Sequence, residues 1–346
     1  MAAEDFVPLP QPDCDTATLV GAFARLNLIG SAPKFVEALR LLCHYAACDV
    51  PVLIAGETGT GKELAARALH YLSARRGRSF IPVNCGALPQ HLFENELFGH
   101  ERGAFTDAHA AQKGLIAQAN GGTLLLDEVD SLSLKGQVAL LRFLQDGQYR
   151  PLGGERSVAG NVRIVAATNA DLRARVAEGT FRRDLYFRLD VANIRLPCLR
   201  ERAADIPLLA RHAAHRLAAR YGRPVPDFDS GFLADLCTRP WPGNVRELEN
   251  AVHRALLLAG GGIMQGAEQL STPVSPTDLA GADFVGGLKA ARARLTRDFD
   301  KRYLTWVMMQ TRGNVTAAAQ RAGTERRQLG RLLQRYGIDK DSFRNL

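Results

Sequence analysis

VPVLIAGETGTGKE, residues 50–63, is the stretch on which the fold turns. Its first half, residues 50–56, is a short apolar run of the kind that forms a strand buried on both faces of a parallel sheet. The second half runs Gly56, Glu57, Thr58, Gly59, Thr60, Gly61, Lys62, Glu63, which is the GxxxxGK spacing of a P-loop. Glycines at this spacing let successive backbone N–H groups face phosphates, and the N-terminus of the following helix favours negative charge. Lys62 would reach the β- and γ-phosphates. Glu63 stands where a Ser or Thr hydroxyl usually ligates magnesium. The metal is then left to the backbone around Thr60, to water and to a downstream carboxylate.

Working outward, residues 80–84, 122–128 and 162–169 are three more apolar runs, each followed by a longer helix-like stretch. That alternation predicts an α/β fold with a largely parallel sheet. The run GTLLLDE (122–128) ends in two acids. Asp127 would hold Mg²⁺ and Glu128 would polarise the attacking water, although adjacent acids at a strand end can also cap the next helix. Thr168 and Asn169, ending another buried strand, offer polar groups to sense the γ-phosphate. From Pro197 the strand pattern stops, and residues 205–222, 230–240 and 244–260 read as three helices of a small lid. The expected organisation is an extension over 1–27, an α/β subdomain over 28–196, a helical lid over 197–259, a Gly/Ser/Thr/Pro-rich linker over 260–287 and a helical domain over 288–346.

Composition narrows the function classes. The chain has 346 residues, 46% hydrophobic and 23% charged, and no run approaches the ~20 apolar residues of a membrane span. The N-terminus has early acids and prolines and no apolar signal core, so a cytoplasmic location is expected. Six cysteines are scattered without metal-ligand or CxxC spacing, which argues for reduced thiols. The net charge of +8 is localised: residues 288–346 hold 14 basic and 5 acidic side chains, and the rest of the chain is close to neutral. A basic terminal module beside a neutral body suits a polyanion such as nucleic acid.

These residues together resemble one family, the AAA+ activators of sigma-54 RNA polymerase, also called bacterial enhancer-binding proteins. GETGTGKE is that family's form of the phosphate loop, which accounts for Glu63, and GTLLLDE matches its acidic strand. The resemblance implies an AAA+ P-loop ATPase with a parallel-sheet core and helical lid, using ATP and Mg²⁺. It implies that Asn84 partners Glu128, that FRRDLYFRL (181–189) supplies arginine fingers Arg182 and Arg188 across a subunit boundary, with Arg183 as the other candidate, and that Arg246 in WPGNVRELEN meets the nucleotide from the lid. It also implies a homo-oligomer, from dimer to hexameric ring.

The loop by which the family contacts sigma-54 corresponds here to Gly103, Ala104, Phe105, Thr106, Asp107 and Ala108, GAFTDA, in which Asp107 replaces a glycine. The aspartate restricts the turn and adds a negative charge. At the C-terminus, NVTAAAQRAGTERRQLGRLLQRYGI resembles the Fis-type helix-turn-helix. Val315, Ala318, Ala319 and Ala322 share one face, and Leu329, Leu332, Leu333 and Tyr336 share another. Arg326, Arg327, Gln328 and Arg331 then point outward as a recognition helix in the major groove of double-stranded DNA requires. The stretch from Leu288 to Met309 would pair two copies. The expected function is ATP-driven activation of sigma-54 polymerase holoenzyme from an upstream DNA site. The alternative is a DNA-binding AAA+ regulator or antagonist uncoupled from sigma-54 by the GAFTDA loop; a remodeller of other proteins fits less well. Residues 1–27 are too few for a receiver domain, so control is expected in trans, from a regulatory protein, expression or ring assembly.

Overall fold

A computed structural model describes residues 14–89, 92–106, 108–225, 227–259, 303–304, 307–311, 313–324, 326–336 and 338. The chain forms two compact units, Met1–Leu270 and Ser271–Leu346, each described here by itself. Asp107, the whole 260–287 stretch and residues 288–302 lie outside the described residues.

In the first unit the strands are β1 (Val52–Ala55), β2 (Phe80–Asn84), β3 (Gly99–His100), β4 (Gln112–Lys113), β5 (Thr123–Asp127), β6 (Gln148–Tyr149), β7 (Val158–Ala159), β8 (Arg163–Thr168) and β9 (Ala192–Arg195). Five of them make one parallel sheet in the order β2-β5-β8-β1-β9, with Val52 opposite both Val165 and Ala192. The pairs β3–β4 and β6–β7 are short antiparallel ribbons. Because side chains alternate along a strand, Ile54, Leu125, Val165 and Ile194 enter one core layer while Leu53, Leu124, Leu126 and Ile164 enter the other.

The helices are α1 (Thr16–Ala24), α2 (Pro33–Ala46), α3 (Lys62–Tyr71), α4 (Phe93–Phe98), α5 (Leu115–Gln118), α6 (Leu134–Asp146), α7 (Leu172–Ala177), α8 (Arg183–Leu189), α9 (Ile206–Tyr221), α10 (Ser230–Thr238) and α11 (Asn244–Ala259). The last three form the expected lid around Leu209, Phe232, Leu236, Trp241, Leu248 and Val252, and a 3-10 segment, Leu199–Asp205, leads into them. The indole N–H of Trp241 donates to the Leu236 carbonyl at 2.7 Å, so the aromatic body is buried without an orphaned donor.

Two features depart from expectation. Residues 1–27 are not all an extension: α1 lies on α2, with Leu19 and Phe23 fully buried, and Asp15 caps it by accepting from Thr18 N at 3.0 Å. A fifth strand, β9, completes the sheet at its edge, and no strand follows Arg195 among the described residues. In the second unit, helices Val315–Arg321 and Arg326–Arg335 enclose Ala318, Ala319, Leu329 and Leu333 with Leu304, Val307 and Met308. Asn314 caps the first helix and Gly323 turns the chain at φ 62°.

Candidate nucleotide site

β1 lies inside the sheet while the chain leaves it for the far edge, β2. In open parallel sheets, ligands bind beyond the carboxyl ends of strands at such a switch. A cleft of about 330 Å³ opens there. Its polar lining includes Thr58, Thr60, Lys62, Glu63, Asn84, Asp127, Glu128, Asn169 and Arg246. The P-loop thus meets the ends of β2, β5 and β8, as expected.

Lys62 opens α3, and its ammonium donates to the carbonyls of Gly56 at 2.8 Å and Glu57 at 3.2 Å. Burial lowers its pKa, and Asp127, Asp130 and Glu128 pull it back up. Asp127 is pushed upward by burial, against the Glu128 backbone N–H that donates to it at 3.0 Å and the nearby Lys62. Glu128 sits in the left-handed region at φ 54°, an uncommon conformation for a side chain other than Asn, Asp or Gly. Its carboxylate has room because residue 86 is glycine: a Cβ there would fall 2.5 Å from Glu128 Oε2. Asn84 anchors its Oδ1 on the Gly86 and Ala87 N–H groups, at 2.8 and 3.1 Å.

Asn169 reaches the P-loop, donating to Thr58 Oγ1 at 3.1 Å. Thr168 does not face the cleft. It is buried and its hydroxyl donates to Asp130 at 2.6 Å, which satisfies the strand end internally. Glu63 pairs with Arg67 one turn along α3, at 2.8 Å.

The lid is stitched to the P-loop more closely than the sequence suggests. Asn244, buried and at φ 52°, donates to Thr58 O at 3.0 Å and Glu57 Oε2 at 3.1 Å. Its Oδ1 accepts from Leu199 N at 2.7 Å. Val245 N donates to Gly59 O at 3.0 Å, and a Cβ on Gly59 would lie 2.2 Å from the Gly243 carbonyl. Arg200 pairs with Glu57 at 2.6 Å, and this partner and Asn244 lower the Glu57 pKa. Asn244, Arg200 and Asp130 were not legible as site residues; only the first lay inside a stretch singled out, WPGNVRELEN. Cys85, beside β5, is inert by burial, its thiol pushed up to about 12.

The three arginines of 181–189 are exposed and none lines the cleft of their own chain. Arg182 forms a two-point pair with Asp184 at 3.0 and 2.6 Å. Arg188 donates to Leu144 O at 3.0 and 2.8 Å, and Arg183 lies over Phe187. The described residues of the 103–108 stretch lie between β3 and β4. Gly103 N donates to Ala108 O at 2.8 Å, Ala108 is buried, and Phe105 is 43% exposed with its ring against His100. In the C-terminal unit Arg326, Arg327, Gln328 and Arg331 are all exposed on one helix, opposite Leu329 and Leu333.

With this geometry in place, the chain compares closely with known proteins. Residues 28–195 match the sigma-54 interaction domain, residues 200–278 the AAA+ ATPase lid domain and residues 296–336 the Fis family of bacterial regulatory proteins. Regulatory protein AtoC of Escherichia coli is 42% identical over 318 residues, covering 90% of this chain and 68% of AtoC. The chain belongs to the sigma-54-dependent activators. Response regulator protein PilR of Pseudomonas aeruginosa is 41% identical, covering 90% of this chain and 70% of its own. A crystal structure of NtrX from Brucella abortus superposes with a TM-score of 0.64 at 32% identity, over 92% of this chain and 71% of NtrX, and NtrX is also solved with ADP and with ATP. As a sigma-54-dependent activator the protein is a nucleotide-binding AAA+ ATPase with a helix-turn-helix DNA-binding domain. These relatives do not favour the uncoupled-antagonist alternative. Among the described residues no helix is long and apolar enough to cross a membrane.

Proposed function

We propose that the protein hydrolyses ATP between core and lid and spends the resulting movement on sigma-54 polymerase holoenzyme at a promoter, from an upstream double-stranded DNA site held by its C-terminal unit. The observation that carries this reading is the convergence of Lys62, Asp127, Glu128 and Asn84 in one cleft, with the Phe105–Thr106 turn placed apart from it on the surface. Lys62 and the P-loop N–H groups cradle the phosphates. Glu128, held near Asn84, orients and deprotonates the attacking water. Arg246 meets the nucleotide from the lid. The donors present suit Mg²⁺, a hard cation that takes one or two carboxylates plus phosphate and water. Asp127 would hold it, with Thr60 spent on Glu57 O at 2.8 Å and Glu63 on Arg67. When bound, the ion would neutralise charge on the β- and γ-phosphates.

The exposed arginines of 181–189 support a homo-oligomeric ring in which one copy completes the site of the next, since none of them borders the cleft of its own chain. Arg326, Arg327, Gln328 and Arg331 are the DNA-reading set, and the domain limits are those expected from the sequence, except that α1 belongs with the α/β core. An open-complex assay with sigma-54 polymerase tests the whole reading. Wild type should open the promoter with ATP, while Phe105→Ala and Thr106→Ala should fail to do so with ATP hydrolysis intact. Hydrolysis without open complexes in the wild type would return the protein to the uncoupled class.

A further inference from the structure

Gln137 is a fully buried amide in α6, a helix whose Leu140, Leu141 and Phe143 enter the core layer together with Phe181 and Leu185. Its side chain donates to the carbonyls of Leu132 at 2.9 Å and Thr180 at 3.1 Å, and accepts from the Arg182 N–H at 2.8 Å. Two carbonyls at one end and an N–H at the other fix which end of the amide is nitrogen. One of these partners belongs to the cleft. Glu128 opens the 3-10 turn Val129–Ser131, which Ser131 N closes by donating to Glu128 O at 2.9 Å. Leu132 follows that turn, and Ser133 then caps α6 by accepting from Gly136 N at 3.2 Å.

The other two partners belong to the arginine segment. Arg182 is the N-cap of α8, so the N–H that Gln137 receives sets where that helix begins. A second link lies toward the far end of α6, where the Leu144 carbonyl accepts both bonds of Arg188. α6 therefore runs from the Glu128 turn to the arginines of α8, bonded to them near each of its ends. Filling the space does not require an amide, since methionine has nearly the same volume. What the amide adds is three main-chain bonds that join segments some 45 residues apart, and removing it would leave those groups without partners at a cost in stability.

We propose that Gln137 is the positioning residue for the arginine segment. It holds the main chain at Arg182 to the strand end that carries Glu128, so the cleft of one chain sets the placement of the arginines it offers to the next. The proposal rests on those arginines acting across a subunit boundary. Their guanidinium groups are long, exposed and held by surface partners, whereas a misplacement of about 1 Å in a reacting geometry can cost about 10²-fold in rate. Anchoring the main chain supplies that accuracy. It also leaves the Arg182 guanidinium free to exchange Asp184 for a phosphate.

The test uses full-length chains in equimolar mixtures. Gln137→Met keeps the bulk and removes all three bonds; it should bind ATP as the wild type does and hydrolyse it about 10²-fold more slowly. Mixing it with Glu128→Gln should restore part of the rate, because that chain lends well-placed arginines to an intact cleft. Mixing it with a chain in which Arg182, Arg183 and Arg188 are all alanine should restore nothing, because neither chain then has placed arginines to lend. Recovery with the alanine chain would put the damage in the cleft of the Gln137→Met chain itself and overturn the proposal. Wild-type hydrolysis by the variant, or no recovery in either mixture, would overturn it too. Gln137→Glu, which keeps the acceptor for Arg182 N and loses the two donated bonds, carries the same mixtures if Gln137→Met does not fold by thermal melting. Glu128→Gln mixed with the alanine chain is the control for the underlying reading. No recovery there means that the arginines do not act in trans, an outcome independent of every Gln137 variant.

Discussion

The P-loop and the 181–189 segment each carry cations that we propose serve one reaction, and the fold treats them oppositely. Lys62 is partly buried, surrounded by Asp127, Asp130 and Glu128, and roofed by lid residues that bond directly to its loop. Arg182, Arg183 and Arg188 are exposed and satisfied by local groups: a neighbouring aspartate, a ring one turn along and a backbone carbonyl. Burial with internal partners makes a site that one chain can finish alone. Exposure with weak, exchangeable partners suits groups that finish a site on another chain, since a surface ion pair is worth at most about 1 kcal/mol and is readily given up. Phe105, Thr106 and the polar face of the Arg326–Arg335 helix belong to this second, outward-facing kind.

The sharpest way to break this contrast is to test whether the arginines act in trans. Arg182→Ala and Arg188→Ala should each be folded, and at least one should lose about 10³-fold or more in ATP hydrolysis. Mixing that variant with Glu128→Gln should restore part of the rate, because some mixed interfaces hold one intact set. A rate independent of protein concentration, with no restoration on mixing, would place the whole site in one chain and end the comparison.

The inward side should fail differently. Glu128→Gln should bind ATP normally and hydrolyse it about 10²–10⁴-fold more slowly, whereas Lys62→Ala should lose ATP binding itself. Equilibrium binding beside steady-state hydrolysis separates the two. Normal turnover by both variants would remove the inward site from the cleft.

A smaller effect is expected on the DNA side. Arg327→Ala and Arg331→Ala should each weaken specific binding by about 1–3 kcal/mol without unfolding the unit, since neither side chain enters its core. Band-shift titrations across a salt series check this, and wild-type binding should fall steeply as salt rises. The smallest effect belongs to Asp107→Gly. Removing one charge and one Cβ there should leave hydrolysis unchanged and alter open-complex yield by no more than about fivefold, on the scale of a single glycine substitution.

Much of the site was legible because it is written in local spacing. GETGTGKE and LLLDE each need only their own few residues to announce a phosphate loop and an acidic strand end, and the outward arginines of 326–331 follow from helical period alone. Other parts depend on contacts between distant segments. β9 has only four residues, Ala192–Arg195, and its two buried side chains give too short a pattern to recognise. The α1 sequence TATLVGAFA holds a glycine and β-branched residues, so its helix owes more to α2 beneath it than to propensity. Thr168 ends its strand where a phosphate sensor would sit, and only its distant partner Asp130 removes the hydroxyl from that role.

Asn244 has a consequence for how the molecule comes apart. One amide side chain satisfies Leu199 N at the lid's base and the Thr58 carbonyl of the P-loop, both in buried surroundings. If the lid were to unfold alone, the core would keep a loop stripped of its bonding partners, at a penalty of about 1–3 kcal/mol for each buried group left unmet. Core and lid are therefore expected to share one melting transition. Scanning calorimetry of the full chain should give them a single peak, with calorimetric and van't Hoff enthalpies in agreement, and Asn244→Ala should broaden or divide that peak. On that outcome, two topological subdomains would behave as a single thermodynamic one.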